Sequence, residues 1–190
     1  MHQIAPLRSG FTLVELLVVM TIIGIVATFA MPRIDYTRIR MDSGFRQVAM
    51  RLLAAQRKAV LQQHAVIVAL DSAGRQLRIH EDRNNNGVID AGERIEYMLL
   101  EDGVVFGRGS APAASIGSNA IMLKKKQGTL PAVTFHRSGS AGELGGFYLT
   151  SARGGSSARF AEDARAFEID RATGRTSLLQ YAGGRWIRRF

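Results

Sequence analysis

Cysteine is absent from the 190 residues, which excludes a disulfide framework, thiolate metal ligation and a cysteine nucleophile together. Histidine is scarce: His2, His64, His80 and His136 are the four, and none falls in a metal or nucleophile motif. The sequence also lacks Gly-x-Ser-x-Gly, a Walker loop and a dinucleotide fingerprint. Nothing in it is built for catalysis, so an enzyme is not expected and the histidines read as structural. With 46% hydrophobic and 22% charged residues, neither a disordered acidic tail nor a collagen-like repeat is tenable. The length fits one domain plus an appendage.

Charge is missing where apolar residues are densest. Phe11 to Met31 carries a single charge, Glu15, and all 25 Lys and Arg lie outside it. Twenty-one helical residues at ~1.5 Å each span about 31 Å, close to the ~30 Å hydrocarbon core of a bilayer. The run is long for a secretory signal and continues into a helical pattern. A carboxylate at the centre of a spanning helix costs ~2.5 kcal/mol or more, and less towards an end. Glu15 therefore either stays near the headgroups or has a positive partner.

Gly10-Phe11-Thr12-Leu13-Val14-Glu15-Leu16, followed by an apolar helix and Pro32, resembles the processing site of type IV pilins and type II secretion pseudopilins. The resemblance implies that a prepilin peptidase cuts between Gly10 and Phe11 on the cytoplasmic side, and that the Phe11 amine is N-methylated. It implies also that Glu15 pairs with the Phe11 amine of a neighbouring subunit. Loss of the leader, residues 1–10, removes Arg8 and lowers the formal charge from +9 to +8. The positive-inside count opposes this orientation, because Arg33, Arg38 and Arg40 outnumber Arg8; a cytoplasmic N-terminus follows from the family. Pro32 is expected to kink or loosen the helix at the membrane exit, and Gly24 is a second weak point.

From Arg33 to about Gln63 the period stays helical. Met41, Phe45, Val48, Ala49, Leu52, Leu53, Ala59 and Val60 recur at three- and four-residue steps, with the basic residues mostly on other faces. After His64 short β-favouring runs take over: Ala65–Leu70, Gln76–His80, Arg94–Leu100, Val104–Phe106, Val133–His136, Phe147–Ser151, Ala166–Ile169 and Ser177–Tyr181. Gly- and Ser-rich pieces separate them as loops, notably 107–118, 138–146 and 154–157. Phe135-His136-Arg137-Ser138-Gly139, Gly146-Phe147-Tyr148-Leu149 and Thr173-Gly174-Arg175 resemble the β-domain of the GspH/FimT family of minor pseudopilins and pilins.

The fold class expected is α+β and type IV pilin-like: a long N-terminal helix, its first half membrane-spanning, packed on a C-terminal antiparallel β-rich domain. The divisions are a leader at 1–10, a membrane and filament-core helix at 11–32, its amphipathic continuation at 33–63 and a periplasmic β-rich domain at 64–190. The family implies a subunit at or near the tip of a periplasmic filament. Its partners would be other pseudopilins, the prepilin peptidase, an inner-membrane assembly platform and inner-membrane lipid.

Two further features carry binding hypotheses. Residues 82–93 follow the EF-hand loop spacing, with oxygens from Asp82, Asn84, Asn86, Asp90 and Glu93, the Val88 carbonyl, and Gly87 at the turn. Calcium is the one cofactor this suggests. The flanks read as strands, however, and a hairpin turning on Asn86-Gly87 with nothing bound is the competing reading. The basic balance raises the odds of an anionic partner. Lys124-Lys125-Lys126 reads as a loop tip. Arg185, Arg188 and Arg189 with Trp186 and Phe190 mix guanidinium groups and rings as nucleic-acid sites do. FimT-type pilins that take up DNA resemble this chain and carry a Gly-Arg-x-Arg element. Here Gly174-Arg175 lacks the second arginine, and a final strand with Trp186 inward and the arginines outward explains the terminus equally.

Overall fold

The structure, a computed structural model, describes residues 10–30 and 36–189. Pro32 and the expected kink, Arg33, and leader residues 1–9 lie outside these. The chain divides into two compact units, Met1–Tyr36 and Thr37–Phe190.

In the first unit, helix α1 runs over Leu13–Ala30, 18 residues, about 27 Å. Among the described residues no helix is long and apolar enough to cross a membrane. The 21-residue span expected from sequence is shortened at its start, because Phe11 and Thr12 stay outside the helix. Thr12 is the cap: its Oγ1 accepts from the Glu15 N–H at 3.2 Å, and its own N–H donates to Glu15 Oε2 at 3.3 Å, a reciprocal capping box. Within the apolar run, the Thr21 and Thr28 hydroxyls donate to the Leu17 and Gly24 carbonyls at 2.8 Å. Their polar atoms are satisfied by the helix itself.

Helix α2, Tyr36–Gln62, all but its first residue in the second unit, buries Met41, Phe45, Val48, Leu52, Ala55 and Ala59 at alternating steps of four and three. Leu53 and Val60, expected on this stripe, are 37% and 40% exposed. Each follows a buried residue by one position, a rotation of about 100° that carries it off the narrow seam. The helix ends at Gln63, which takes a left-handed φ of 58° while its amide donates to the Val60 carbonyl.

Two antiparallel sheets follow. The first has the order β3-β2-β1-β7-β6, built from β1 Ala65–Asp71, β2 Gln76–Asp82, β3 Ile95–Leu99, β6 Lys126–Gln127 and β7 Leu130–Phe135. The second has the order β11-β10-β9-β8-β4, from β4 Val104–Phe106, β8 Gly145–Ser151, β9 Arg165–Ile169, β10 Thr176–Ala182 and β11 Arg185–Arg188; β5, Ile121–Met122, also pairs with β8. A short helix α3, Ala152–Ser156, and a 3-10 segment, Ala158–Asp163, lie between β8 and β9. Helix α3 takes in part of the 154–157 stretch read from sequence as loop. Ser151 caps α3, and its hydroxyl donates to the buried Asp163 carboxylate.

The main core lies among α2 and both sheets. Val66, Val68 and Leu70 alternate inward from β1, and Phe167 is centred 4.7 Å from both Phe147, on which it stacks at 18°, and Phe45, which is tilted to it at 53°. A side chain at Gly146 would strike the Phe167 carbonyl, its Cβ only 2.0 Å away. The inner side of α2 is also pinned by polar groups. Gln56 Nε2 donates to the Gly139 and Thr173 carbonyls at 2.8 and 2.7 Å. This brings together the two turns, Ser138-Gly139 and Thr173-Gly174, that carried the family resemblance. Gly174 sits at φ +64°, its missing Cβ 2.1 Å from the Gly139 carbonyl.

Candidate functional site

The Gly10-Phe11 junction is open. Gly10 has nothing within 4 Å of its missing Cβ, and Phe11 is 84% exposed. Glu15 aims its Oε2 back at Thr12, so its carboxylate lies at the N-terminal end of α1, where the positive pole of the helix favours it. Sequence reasoning weighed headgroups against a partner for Glu15 and missed this local one. The signal was present as Thr12-x-x-Glu15 ahead of an apolar run.

The 82–93 loop joins β2 to β3, strands as expected rather than helices. Asp82, 2% exposed, accepts from the Asn86 and Gly87 N–H groups at 3.0 and 2.8 Å. The Asn84 and Asn86 amides both donate to Asp90 Oδ2, at 2.7 and 2.6 Å. Positive φ falls on Asn85 and Gly87, not on Asn86, because Asn85 turns its Oδ1 to accept the Ala65 N–H at the start of β1. Glu93 looks elsewhere. Its Oε1 accepts from the Arg83 N–H and its Oε2 from the Asp90 N–H and from His80 Nε2, at 2.9, 3.0 and 2.7 Å. The Asp90 N–H, followed by the His80 and Arg83 bonds, outweighs burial and holds its pKa at about 2.

His80 is fully buried, and Gln127 Nε2 donates to its Nδ1 at 2.7 Å, so the network assigns the ring proton to Nε2. Nothing in the spacing foretold this partner. Asn84 and Asn86 thus turn their amide nitrogens to Asp90 while their oxygens accept the Asn86 and Val88 N–H groups, Asp82 is taken up by backbone N–H groups, and Glu93 is drawn off by His80. Among the described residues no group of three or more His, Asp or Glu side chains is gathered for a metal ion.

The four arginines considered for nucleic acid do not form one face. Arg175 precedes β10 and Arg185 pairs with Ala182 at its far end, so seven residues, about 20 Å of strand, separate them. Arg188 pairs with Glu168 at 3.1 Å and Arg189 donates to Gln180 at 2.8 Å. Trp186 packs against Tyr148 and Tyr181, its indole N–H donating to the Pro112 carbonyl. The terminus is an edge strand with its indole partly buried and its arginines outward. Lys126 belongs to β6, and the Lys124 and Lys125 N–H groups are held by the Glu143 carboxylate, so the triplet is strand and anchored backbone rather than a free tip.

On this geometry the comparisons can be set. The prokaryotic N-terminal methylation motif matches residues 6–31, and the family described as type II transport protein GspH matches residues 45–169, about two thirds of the chain. Two solved structures of the minor pseudopilin EpsH from the type 2 secretion system of Vibrio cholerae are similar. One is 15% identical, covering 77% of this chain and 99% of that one with a TM-score of 0.47. The other is 14% identical, covering 80% and 94% with a TM-score of 0.38. The family match, not these distant neighbours, carries the assignment. No curated protein matches this sequence.

Proposed function

We propose that this chain, which belongs to the GspH family of type II transport proteins, is a minor pseudopilin cut after Gly10 and built into a periplasmic pseudopilus at or near its tip. The family is structural rather than enzymatic, and its members work by assembly with other pseudopilins. The finer steps are proposals. A prepilin peptidase removes residues 1–10 at the cytoplasmic face of the inner membrane, Phe11 is N-methylated, and the assembly platform carries the subunit from membrane lipid into the filament with the 64–190 domain in the periplasm.

The observation that carries this reading is the pairing of an exposed Gly10-Phe11 junction with a Glu15 carboxylate turned to that same end of α1. The outer side of α2 supports it. Met50, Leu53 and Leu61 are 66%, 37% and 82% exposed there, beside Arg57, an apolar strip suited to a neighbouring subunit. Intact mass and N-terminal fragmentation of the protein purified from its membrane test the reading. A chain starting at methylated Phe11 is expected, and a chain still carrying residues 1–10 in a strain with an active peptidase would refute it.

Calcium at the 82–93 loop is a second proposal. It rests on the spacing of Asp82, Asn84, Asn86 and Asp90 around one loop and requires the two amides to turn their oxygens inward, away from the Asn86 and Val88 N–H groups they accept. A tenfold excess of calcium over its Kd then adds about 1.4 kcal/mol to unfolding. An unfolding midpoint that ignores millimolar calcium, with no heat in titration calorimetry, would remove calcium from the account.

A further inference from the structure

A second cleft, unrelated to the processing junction, lies where the 136–144 segment meets the β9–β10 turn. It is an open cleft of about 680 Å³ lined by Lys125, His136, Gly142, Leu144, Asp170 and Arg171. Its centre is set by an absence. A Cβ on Gly142 would sit 3.2 Å from Lys125 Nζ and 3.5 Å from His136 Nε2, so both side-chain nitrogens face the space above this glycine. Arg171 stands at the rim, and the Lys125, His136 and Arg171 side chains have no hydrogen-bond or ion-pair partner among the described residues.

The walls are fixed by backbone on every side. Glu143 accepts the Lys124 and Lys125 N–H groups at 3.0 and 2.8 Å, so its carboxylate is occupied beside Lys125. Ala132 N–H donates to the Lys125 carbonyl, His136 to Ser140, Gly142 to Thr134 and Ala141 to Arg171, all within 2.9 Å. Such a site loses little freedom when it binds.

Three features choose among anions. Asp170 places a carboxylate at the rim, which repels a phosphodiester chain more than a single carboxylate. No Phe, Tyr or Trp lines the cleft, so there is no platform for a base. Leu144, 66% exposed, adds apolar surface next to the cationic centre. We propose that this cleft binds an Asp or Glu side chain carried on a segment of another protein. The carboxylate would sit over Gly142 between Lys125 Nζ and His136 Nε2, with an apolar neighbour of that residue on Leu144.

The Thr37–Phe190 unit suffices for the test, since every residue of the main core lies between Met41 and Ile169. Fluorescence anisotropy would follow a labelled peptide of alternating Glu and Leu at low salt, beside its Gln-Leu counterpart. The Glu-Leu peptide is expected to bind at least about tenfold more tightly. Lys125→Ala and Arg171→Ala together should weaken it about tenfold, and Gly142→Ala should weaken it without any change of charge. The Lys125 side chain is exposed, so its variant should keep the unfolding midpoint of the parent. Equal binding of the Glu and Gln peptides, or of the parent and the double variant, would overturn the proposal. So would displacement of the peptide by an oligonucleotide or by inorganic phosphate as readily as by unlabelled peptide, which would reassign the cleft to phosphate.

Discussion

Arg165 and Asp42 provide an asymmetric test of how α2 is held to the second sheet. The Arg165 guanidinium is 1% exposed; its Nη1 donates to the Glu162 and Ala164 carbonyls and its Nη2 to Asp42 Oδ1 at 2.7 Å. The Asp42 side chain is 40% exposed. Removing the aspartate by Asp42→Ala strands a cation inside the protein, at a cost of about 3 kcal/mol. Removing the cation by Arg165→Met leaves a carboxylate that water can reach. Ala164 O keeps its bond from the Tyr181 N–H, and Met fills most of the vacated volume, so this change costs about 1 kcal/mol. The substitution at the exposed partner is therefore the more harmful. For a unit of this size, 3 kcal/mol lowers the midpoint by roughly 6 to 12 °C. Urea and thermal unfolding of the Thr37–Phe190 unit followed by circular dichroism would measure both variants and the double one. In the double variant Arg165→Met should recover most of what Asp42→Ala loses. An Arg165→Met cost equal to or above that of Asp42→Ala, or strictly additive losses, would refute the reasoning.

Phe167→Ala removes the ring shared by the stacked and the tilted pair and should cost about 3 to 5 kcal/mol, seen as a large drop in urea midpoint with an unchanged slope; a loss below about 1 kcal/mol would mean this ring cluster is not central. Acid should weaken the domain in a defined window. Glu93 is held at about 2 against an ordinary 4.5, Asp71 is lowered by the Gly74 N–H and then Gln76, and Asp170 by the Thr173 hydroxyl and then its N–H. The unfolded chain thus binds more protons than the folded one below about pH 4.5, so stability is full above that pH and falls as pH drops towards about 2. A urea midpoint that stays flat across this range would contradict those bonds.

The parts legible in the sequence were those written in local period. The three-and-four spacing from Met41 to Ala59 placed α2, and runs of β-favouring residues placed the strands from Ala65 to Asp71 and from Gln76 to Asp82 within two residues. Elements formed only by tertiary partners were not legible. The two-residue β5 and β6 exist because β8 and β7 lie alongside, and α3 starts because Ser151 both caps it and reaches Asp163 across the chain. The candidate site shows the same division. Thr12-x-x-Glu15 and the 82–93 spacing are local, whereas His80 meets Glu93 only through strand pairing, and Lys125 meets His136 only through the fold. The basic terminus reads in sequence both as an arginine cluster and as a final strand with Trp186 inward; it is that strand, and Arg175 and Arg185, ten apart in sequence, stand at opposite ends of β10.

Under the proposed function Glu15 is the residue on which assembly turns, and the capping box makes its two duties separable. Both Thr12 donors use Oε2, so Oε1 is available to an ammonium group without breaking the cap, and Thr12 survives cleavage after Gly10. Thr12→Ala should shorten or fray the start of α1 at a cost of about 1 kcal/mol while leaving the charge in place. Glu15→Gln does the reverse, because an amide oxygen at this position still accepts the Thr12 N–H but cannot pair with a cation. If the proposed pairing with a neighbour's Phe11 amine drives incorporation, Glu15→Gln should lower co-purification with partner pseudopilins far more than Thr12→Ala, although the latter loses more helix by circular dichroism in micelles. Incorporation that tracks helix content instead would assign Glu15 to capping alone.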